Sequence, residues 1–446
     1  FCTRDKDVFR IRVTLNGMER CIGVTRTCAR PRSFVSTSRL SFGSQPLFAF
    51  SLGSSVSRSS KRNGCVFPVS SGYRTIVAMR SVEQGEQSQP PTNENLLRLP
   101  GAGNTYPGAF YAGQPVRSIP PIDTKLYQRP PKGTVPFVYH TEYDIRFYGL
   151  ENLHPFDSKK WGKVKEMLVN RGLIREDQIS TPQPATDSDL EVAHTKEYLA
   201  SLQSSYQVAS ITEVAPVLLL PSFIINRQLI QPFRHHTGGS VLAGKLALEQ
   251  GWAVNIGGGF HHCCGCAGGG FCMFSDITLT AVFARHKKGI RRVMIVDLDA
   301  HQGNGHARDF MGDRDAYILD VYNADIYPQD HDAKSAISKP VELKSGTGDS
   351  EYLTKVSQAL SEAENDDFSP ELIIYNAGTD VLSHDKLGKL DVSTHAVLQR
   401  DELVFAFAKR AGSAIVMLTS GGYQQNNAKV IADSICNLHS KGLISL

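Results

Sequence analysis

Five short apolar runs, at 252–256, 293–296, 316–319, 372–375 and 415–418, restrict what this chain can fold into. Each is rich in β-branched residues and nearly free of polar ones, so each needs cover on both faces. Parallel strands beneath helices receive such cover. Segments of helical period lie between the runs, at 352–363 and 400–411 for example. Strand and helix in alternation predict an α/β fold, a single doubly wound domain with a mostly parallel central sheet flanked by helices.

The chemistry lies in the strings directly after these runs. The first run leads into Gly257-Gly258-Gly259-Phe260-His261-His262. The second leads into Asp297-Leu298-Asp299-Ala300-His301-Gln302-Gly303-Asn304-Gly305-His306. Run 372–375 leads into Asn376-Ala377-Gly378-Thr379-Asp380, and 415–418 into Thr419-Ser420-Gly421-Gly422-Tyr423. Open parallel sheets place their sites at the carboxyl ends of strands, so Asp, His and Tyr converge there among glycines that let backbone approach.

Asp299 and His301 alternate and so point to the same side of an extended segment. With Asp380 they offer two carboxylates and an imidazole with a position left open, a set suited to catalytic Zn²⁺ or a similar divalent ion. A salt-bridged loop is the other reading of that string. Paired His261-His262 also suits a hydrogen-bonded turn, and His235-His236 is read that way. Cys263, Cys264 and Cys266 lack a matching distant pair, so free thiols are expected there rather than a second metal site.

The 446 residues divide into three zones. Residues 1–78 read as a disordered basic segment without apolar periodicity, 79–136 as a Pro-rich linker and 137–446 as the catalytic domain. Fourteen Lys/Arg face Asp5, Asp7 and Glu19 in residues 1–80, a balance of +11 that leaves −7 for the rest of a chain of net charge +4. The folded part is therefore mildly acidic, and charge gives no argument for nucleic-acid binding. From Ser33 to Ser71 there are thirteen serines and no acid, a composition typical of organellar transit peptides. Met18 reads as the start and Ala78 as a processing position, giving a plastid or mitochondrial destination. A disordered tail or an untranslated upstream stretch is the alternative. Ten of the 22 prolines lie between Pro90 and Pro136, which predicts an extended, poorly ordered linker. The apolar stretch 214–225 is broken by Pro216 and Pro221 and is too short to span a bilayer.

From Val138 to Ile444 the chain resembles the histone deacetylase family, in particular its class IV branch. The resemblance rests on Gly149-Leu150-Glu151-Asn152-Leu153-His154-Pro155-Phe156-Asp157, on Gly257 to His262, on Gly269-Gly270-Phe271-Cys272, on Asp297 to His306, on Asp380 and on Ser420 to Gln424. It implies the arginase/deacetylase fold and hydrolysis of an acyl group, acetyl or longer, from the ε-amine of lysine in histones or other proteins. By position, Asp299, His301 and Asp380 match zinc ligands. His262 matches the general base, and His261 its electrostatic neighbour oriented by Asp297. Tyr423 matches the phenol that binds the oxyanion, and Gly270, Phe271 and Leu387 match the acyl-lysine tunnel. A structural K⁺ near Asp297, Asp299, His301 and Asp320 is a further implication. The family works in the nucleus or cytoplasm, against the compositional reading.

Each implied role suits amide hydrolysis, which needs an activated water, an oxyanion donor and a proton for the leaving amine. Two departures stand out. Asn304 occupies a position where many deacetylases carry aspartate, so His262 is expected to be neutral, and ready as a base, at lower pH. The rim aspartate that grips substrate backbone has no clean counterpart, although Glu213 lies nearby. Alternatives within reach of these residues are a small-molecule, acetylpolyamine-like amidohydrolase, an arginase-like ureohydrolase and a non-catalytic scaffold of the same fold.

Overall fold

The computed structural model describes residues 8–15, 18–25, 123–146 and 157–446, and the chain divides into two compact units, Phe1–Gln89 and Pro90–Leu446. In the first unit, β1 (Val8–Leu15) pairs antiparallel with β2 (Met18–Thr25), placing Ile11 opposite Ile22 and Phe9 opposite Val24. This differs from the aperiodic segment expected there. Phe9, Ile11, Val13 and Leu15 alternate with polar residues, and Asn16-Gly17 is a strong hairpin signal. Residues 26–78, with most of the transit-like composition, and motif residues 149–156 lie outside the described residues.

The second unit is built on seven strands: β3 (Phe137–Val138), β4 (Trp252–Asn255), β5 (Val293–Asp297), β6 (Ala316–Asn323), β7 (Lys339–Leu343), β8 (Leu372–Asn376) and β9 (Ala414–Leu418). All pairs are parallel and the order is β3-β4-β9-β8-β5-β6-β7. The five apolar runs become β4, β5, β6, β8 and β9. The two edge strands escaped the sequence reading for different reasons. β3 spans only two residues, and β7 carries Lys339 and Glu342 because its outer side is not covered.

Strand alternation distributes the core. Ala253, Val293, Ile295, Ile318, Leu372, Ile374 and Val416 pack with Leu242, Leu246, Ile277 and Ala281 on one face. Those partners belong to α2 (Gln231–Gln250) and α3 (Asp276–Lys288). Val254, Met294, Val296, Leu319, Tyr375 and Met417 pack on the other face with Trp161, Tyr352, Val404 and Ile431. That layer comprises α1 (Lys160–Asn170), α4 (Asp349–Asn365), α5 (Thr394–Ala411) and α6 (Asn427–Ser440). Each fully buried aliphatic side chain contributes about 1.5–3 kcal/mol, so period-2 burial on two faces fixes the register of the whole sheet. Helix α5 starts where Ser393 accepts the Ala396 N–H at 3.2 Å, a cap worth about 1 kcal/mol.

Part of the expected linker belongs to this unit. Leu126 is buried against a third apolar cluster containing Phe233, Phe274 and Phe283, and the Tyr127 ring lies 6.1 Å from that of Phe283. Two apolar anchors order the segment where average composition predicted an extended one.

Connectivity sets the position of the site. From β5 the chain proceeds outward to β6 and β7, whereas from β8 it proceeds the opposite way to β9. The crevice at the carboxyl ends of β5 and β8 is therefore the topological switch point, where open α/β sheets bind ligands.

Candidate active site

Asp297 ends β5 opposite Asn376, which ends β8. Beyond these strands the chain turns inward and brings Asp299, His301 and Asp380 together, their ligand-capable atoms within 4.8 Å of one another and all three side chains buried. Among the described residues, this is the grouping of His, Cys, Asp or Glu that can share a cation. His301 Nδ1 lies 3.1 Å from Asp299 Oδ1 and 2.7 Å from Asp380 Oδ2. Asp380 Oδ1 accepts the Ala300 N–H at 2.8 Å, and Asp299 Oδ1 accepts that of His301 at 3.0 Å. Burial alone would neutralise His301, but the two carboxylates on Nδ1 prevail and raise it to about 10. Two buried carboxylates demand a positive charge between them.

Gly421 shows how closely the backbone approaches this centre. It has φ +27°, and a Cβ there would collide with Asp299 Oδ2. Arg400, fully buried on α5, donates to the carbonyls of Leu298 and, at 2.6 Å, Gly378, so one guanidinium ties together the two loops bearing the carboxylates.

His261 and His262 follow the glycine loop after β4. Asp276 on α3 holds that loop by accepting the N–H groups of Gly259 and Phe260, both at 2.8 Å. His236 supports it from α2: Nδ1 accepts the Gly258 N–H at 3.1 Å while Nε2 faces the Tyr143 carbonyl at 3.1 Å. His235 and His236 thus lie within helix α2 rather than in a turn, and His236 alone supports the glycine loop. His261 Nδ1 lies 2.9 Å from Asp297 Oδ2. That oxygen also meets His306 Nε2 at 2.8 Å, while Oδ1 accepts from Asn376 Nδ2 at 2.9 Å. Burial opposes charge on His261, yet Asp297 and Asp299 raise it to about 9. His262 Nδ1 lies 2.9 Å from Asn304 Oδ1. Burial, then His261 and His301, push His262 well below the ordinary histidine value. The hydrogen bond to Asn304 works weakly against that lowering.

Two connected cavities meet at these groups. The inner, about 40 Å³, is lined by His261, His262, Asp299 and Tyr423 together with Trp161, Phe260, Cys272 and Gly421. The outer, about 560 Å³, is lined by Leu387, Tyr327, Glu213 and Lys389, and shares Gly270, Phe271, His262 and Tyr423 with the inner one. Gly270 has φ +50°, and a Cβ there would come within 2.5 Å of His262 Cδ2. Asp385 joins both sides of the opening, accepting Tyr423 N–H at 2.9 Å and Leu387 N–H at 3.0 Å. Burial, with Asp380 and Asp299 adding to it, keeps the Tyr423 phenol protonated far above its ordinary range.

All eleven site residues expected from sequence therefore lie at or immediately around this opening. The scaffold that holds them was missed. Lys160 Nζ donates to the Ser420 and Gly421 carbonyls, and Trp161 Nε1 donates to the Thr419 carbonyl at 3.0 Å. Asp276, His236, Arg400 and Asp385 come from segments whose sequence differs little from ordinary amphipathic helix or loop. A polar residue inside an apolar helical face, such as Asp276 among Ile277 and Leu279, is the one available signal. Cys263, Cys264, Cys266 and Cys272 are free thiols.

Comparison with known proteins agrees with this geometry. The profile of the family described as "Histone deacetylase domain" matches residues 154–438. "Histone deacetylase 2" of Arabidopsis thaliana is 52% identical over 323 residues, covering 72% of this chain and 83% of that protein. "Acetoin utilization protein AcuC" of Staphylococcus aureus (strain MRSA252) is 26% identical over 62% of this chain and 74% of its own length. The solved HD domain of HDA15 superposes with a TM-score of 0.57 at 18% identity, covering 70% of this chain and 90% of that one, which establishes the fold alone. With a family profile over more than half its length and a relative of 52% identity, this chain belongs to the histone deacetylase family.

Proposed function

We propose that this chain is a zinc-dependent lysine deacylase of the class IV branch that removes acyl groups, acetyl or longer, from the ε-amine of lysine in histones or other proteins. The observation that carries the reading is the buried Asp299–His301–Asp380 group beside one small cavity that Asp299, His262 and Tyr423 line together. One imidazole nitrogen and two carboxylates fit a catalytic zinc site. Asp320 Oδ1, buried and without a hydrogen-bonding partner, is the feature that suits the structural K⁺.

When bound, zinc supplies Lewis acidity, polarising an amide carbonyl and acidifying water. The chain's own residues supply the rest. His262 donates its Nδ1–H to Asn304 and keeps Nε2 as a lone pair that takes a proton from water. The same nitrogen then returns a proton to the departing lysine amine. Tyr423 donates its phenolic proton to the oxyanion. Burial, then His261 fixed by Asp297, holds His262 toward its neutral form. Phe271 and Leu387 exclude water around the aliphatic stem.

Turnover by the purified full chain on acetyl-lysine peptide, myristoyl-lysine peptide and acetylated small amines tests this. Acyl-lysine hydrolysis with one zinc per chain, abolished by chelation and restored by zinc, is expected. Preference for the small amine would select the small-molecule amidohydrolase. Absence of turnover with zinc bound would select the scaffold.

A further inference from the structure

The base role of His262 depends on which nitrogen carries its proton. Asn304 Oδ1, 2.9 Å from Nδ1, can only accept, so Nδ1 is protonated and Nε2 is bare. An amide is nearly symmetric in shape. Turned by 180°, it would present its NH₂ to Nδ1, select the opposite tautomer and leave no lone pair at Nε2. A carboxylate at position 304 would not have this difficulty, since its two oxygens are equivalent.

The structure restrains the amide from its far end. Asn304 Nδ2 donates to Asp330 Oδ2 at 3.2 Å, and a carboxylate offers no proton to a reversed amide. Asp330 is itself fixed. Arg308 donates to it from Nε at 2.8 Å and Nη2 at 2.7 Å, and the Ala333 N–H donates at 3.0 Å. Gln302 clasps its backbone on both sides, donating to the Asp330 carbonyl and accepting its N–H, each at 2.9 Å.

We propose that Asp330 is a positioning residue: its carboxylate locks the Asn304 amide and thereby holds His262 in the Nδ1–H tautomer, while Arg308 balances the carboxylate's charge. A carboxylate placed directly on His262 would orient the ring and also favour the imidazolium. Here orientation comes through a neutral amide, and the negative charge stays one residue further out, paired with a guanidinium. The proposal rests on the reading of His262 as the base.

Asp330 also caps the short helix His331–Lys334, so the test variant is Asp330→Ser, which keeps a capping oxygen. Zinc-loaded full-length enzyme is assayed for kcat and KM on an acetyl-lysine peptide, with zinc content and Tm measured alongside. Asp330→Ser should lower kcat by about 10–100-fold, as loss of an orienting partner typically does, with KM and zinc content retained. The ¹⁵N shifts of the His262 ring should change from one tautomer to a mixture. Asn304→Asp in the Asp330→Ser background, where the group cannot be misoriented, should restore kcat. Wild-type kcat in Asp330→Ser, or a loss the second substitution does not restore, would overturn the proposal. A fully active His262→Ala enzyme would overturn the base reading and this proposal with it. An inactive His262→Ala beside a normal Asp330→Ser would overturn this proposal alone.

Discussion

At the residue scale, His261 and His262 are adjacent in sequence and almost equally buried, yet their partners drive them in opposite directions. Asp297 is ionised, because burial raises a carboxyl but His261 and His306 hold this one well below the usual range. Asn304 gives His262 a partner without charge. The pair is thus pulled apart, His261 toward the charged form and His262 toward the neutral one. Replacing Tyr423 by Phe removes one donor to the oxyanion and should slow turnover about 10²–10³-fold. His262→Ala should cost at least as much, and His261→Ala less. All three should retain zinc by metal analysis, since none is a ligand, and wild-type activity in Tyr423→Phe would exclude the proposed division of labour. These side chains were legible because each belongs to a short string directly after an apolar strand. Asp330 was not, since it touches the site only through Asn304 and its own sequence context is that of an ordinary helix cap.

At the scale of elements, apolar strands declare themselves and polar scaffolding does not. Runs 293–296 and 372–375 predicted β5 and β8 because burial on both faces leaves no room for polar residues. Arg400 gave no such signal, being a charged residue in a helix of otherwise ordinary pattern. Only the fold shows it reaching the Leu298 and Gly378 carbonyls. Arg400→Met should therefore loosen both carboxylate loops and weaken zinc binding by about 10–100-fold, measured by competition with a chelator, while Asp299 and Asp380 remain in place. Unchanged zinc affinity would show that the loops hold themselves. His194 has a comparable anchoring role. Its Nδ1 faces the Gly265 carbonyl at 3.3 Å, and Nε2 accepts the Ser275 N–H at 3.1 Å, an arrangement that only neutral imidazole can make. Burial lowers it to about 4. As pH falls below the unfolded value of about 6.5, the unfolded chain takes up a proton that the folded chain refuses, so stability is lost down to about 4. The gap is worth about 3 kcal/mol. Urea unfolding across that range should show wild type losing more stability than His194→Asn, and parallel profiles would remove His194 as the cause.

Over the whole molecule, charge and apolar content divide along the chain. The Pro90–Leu446 unit contains every residue of the proposed site, and among the described residues no helix is long and apolar enough to cross a membrane. Residues 18–78 carry many arginines and serines but Glu19 as their single acid, where ordinary usage would place several in sixty residues. Lys61-Arg62 is only two residues long, shorter than the basic clusters that direct nuclear import. Composition of this kind suits an organelle import receptor better than a nuclear one. We propose that the segment directs the chain to a plastid or mitochondrion and is removed near Ala78. Because the site lies wholly in the second unit, removal should leave turnover unchanged: residues 79–446 should match the full chain in kcat/KM on an acetyl-lysine peptide. Residues 18–90 fused to a fluorescent protein should accumulate in one of these organelles in plant cells and run shorter on a denaturing gel after import. Diffuse or nuclear fluorescence would place the enzyme where its family usually works and leave the acid-free segment without a targeting role.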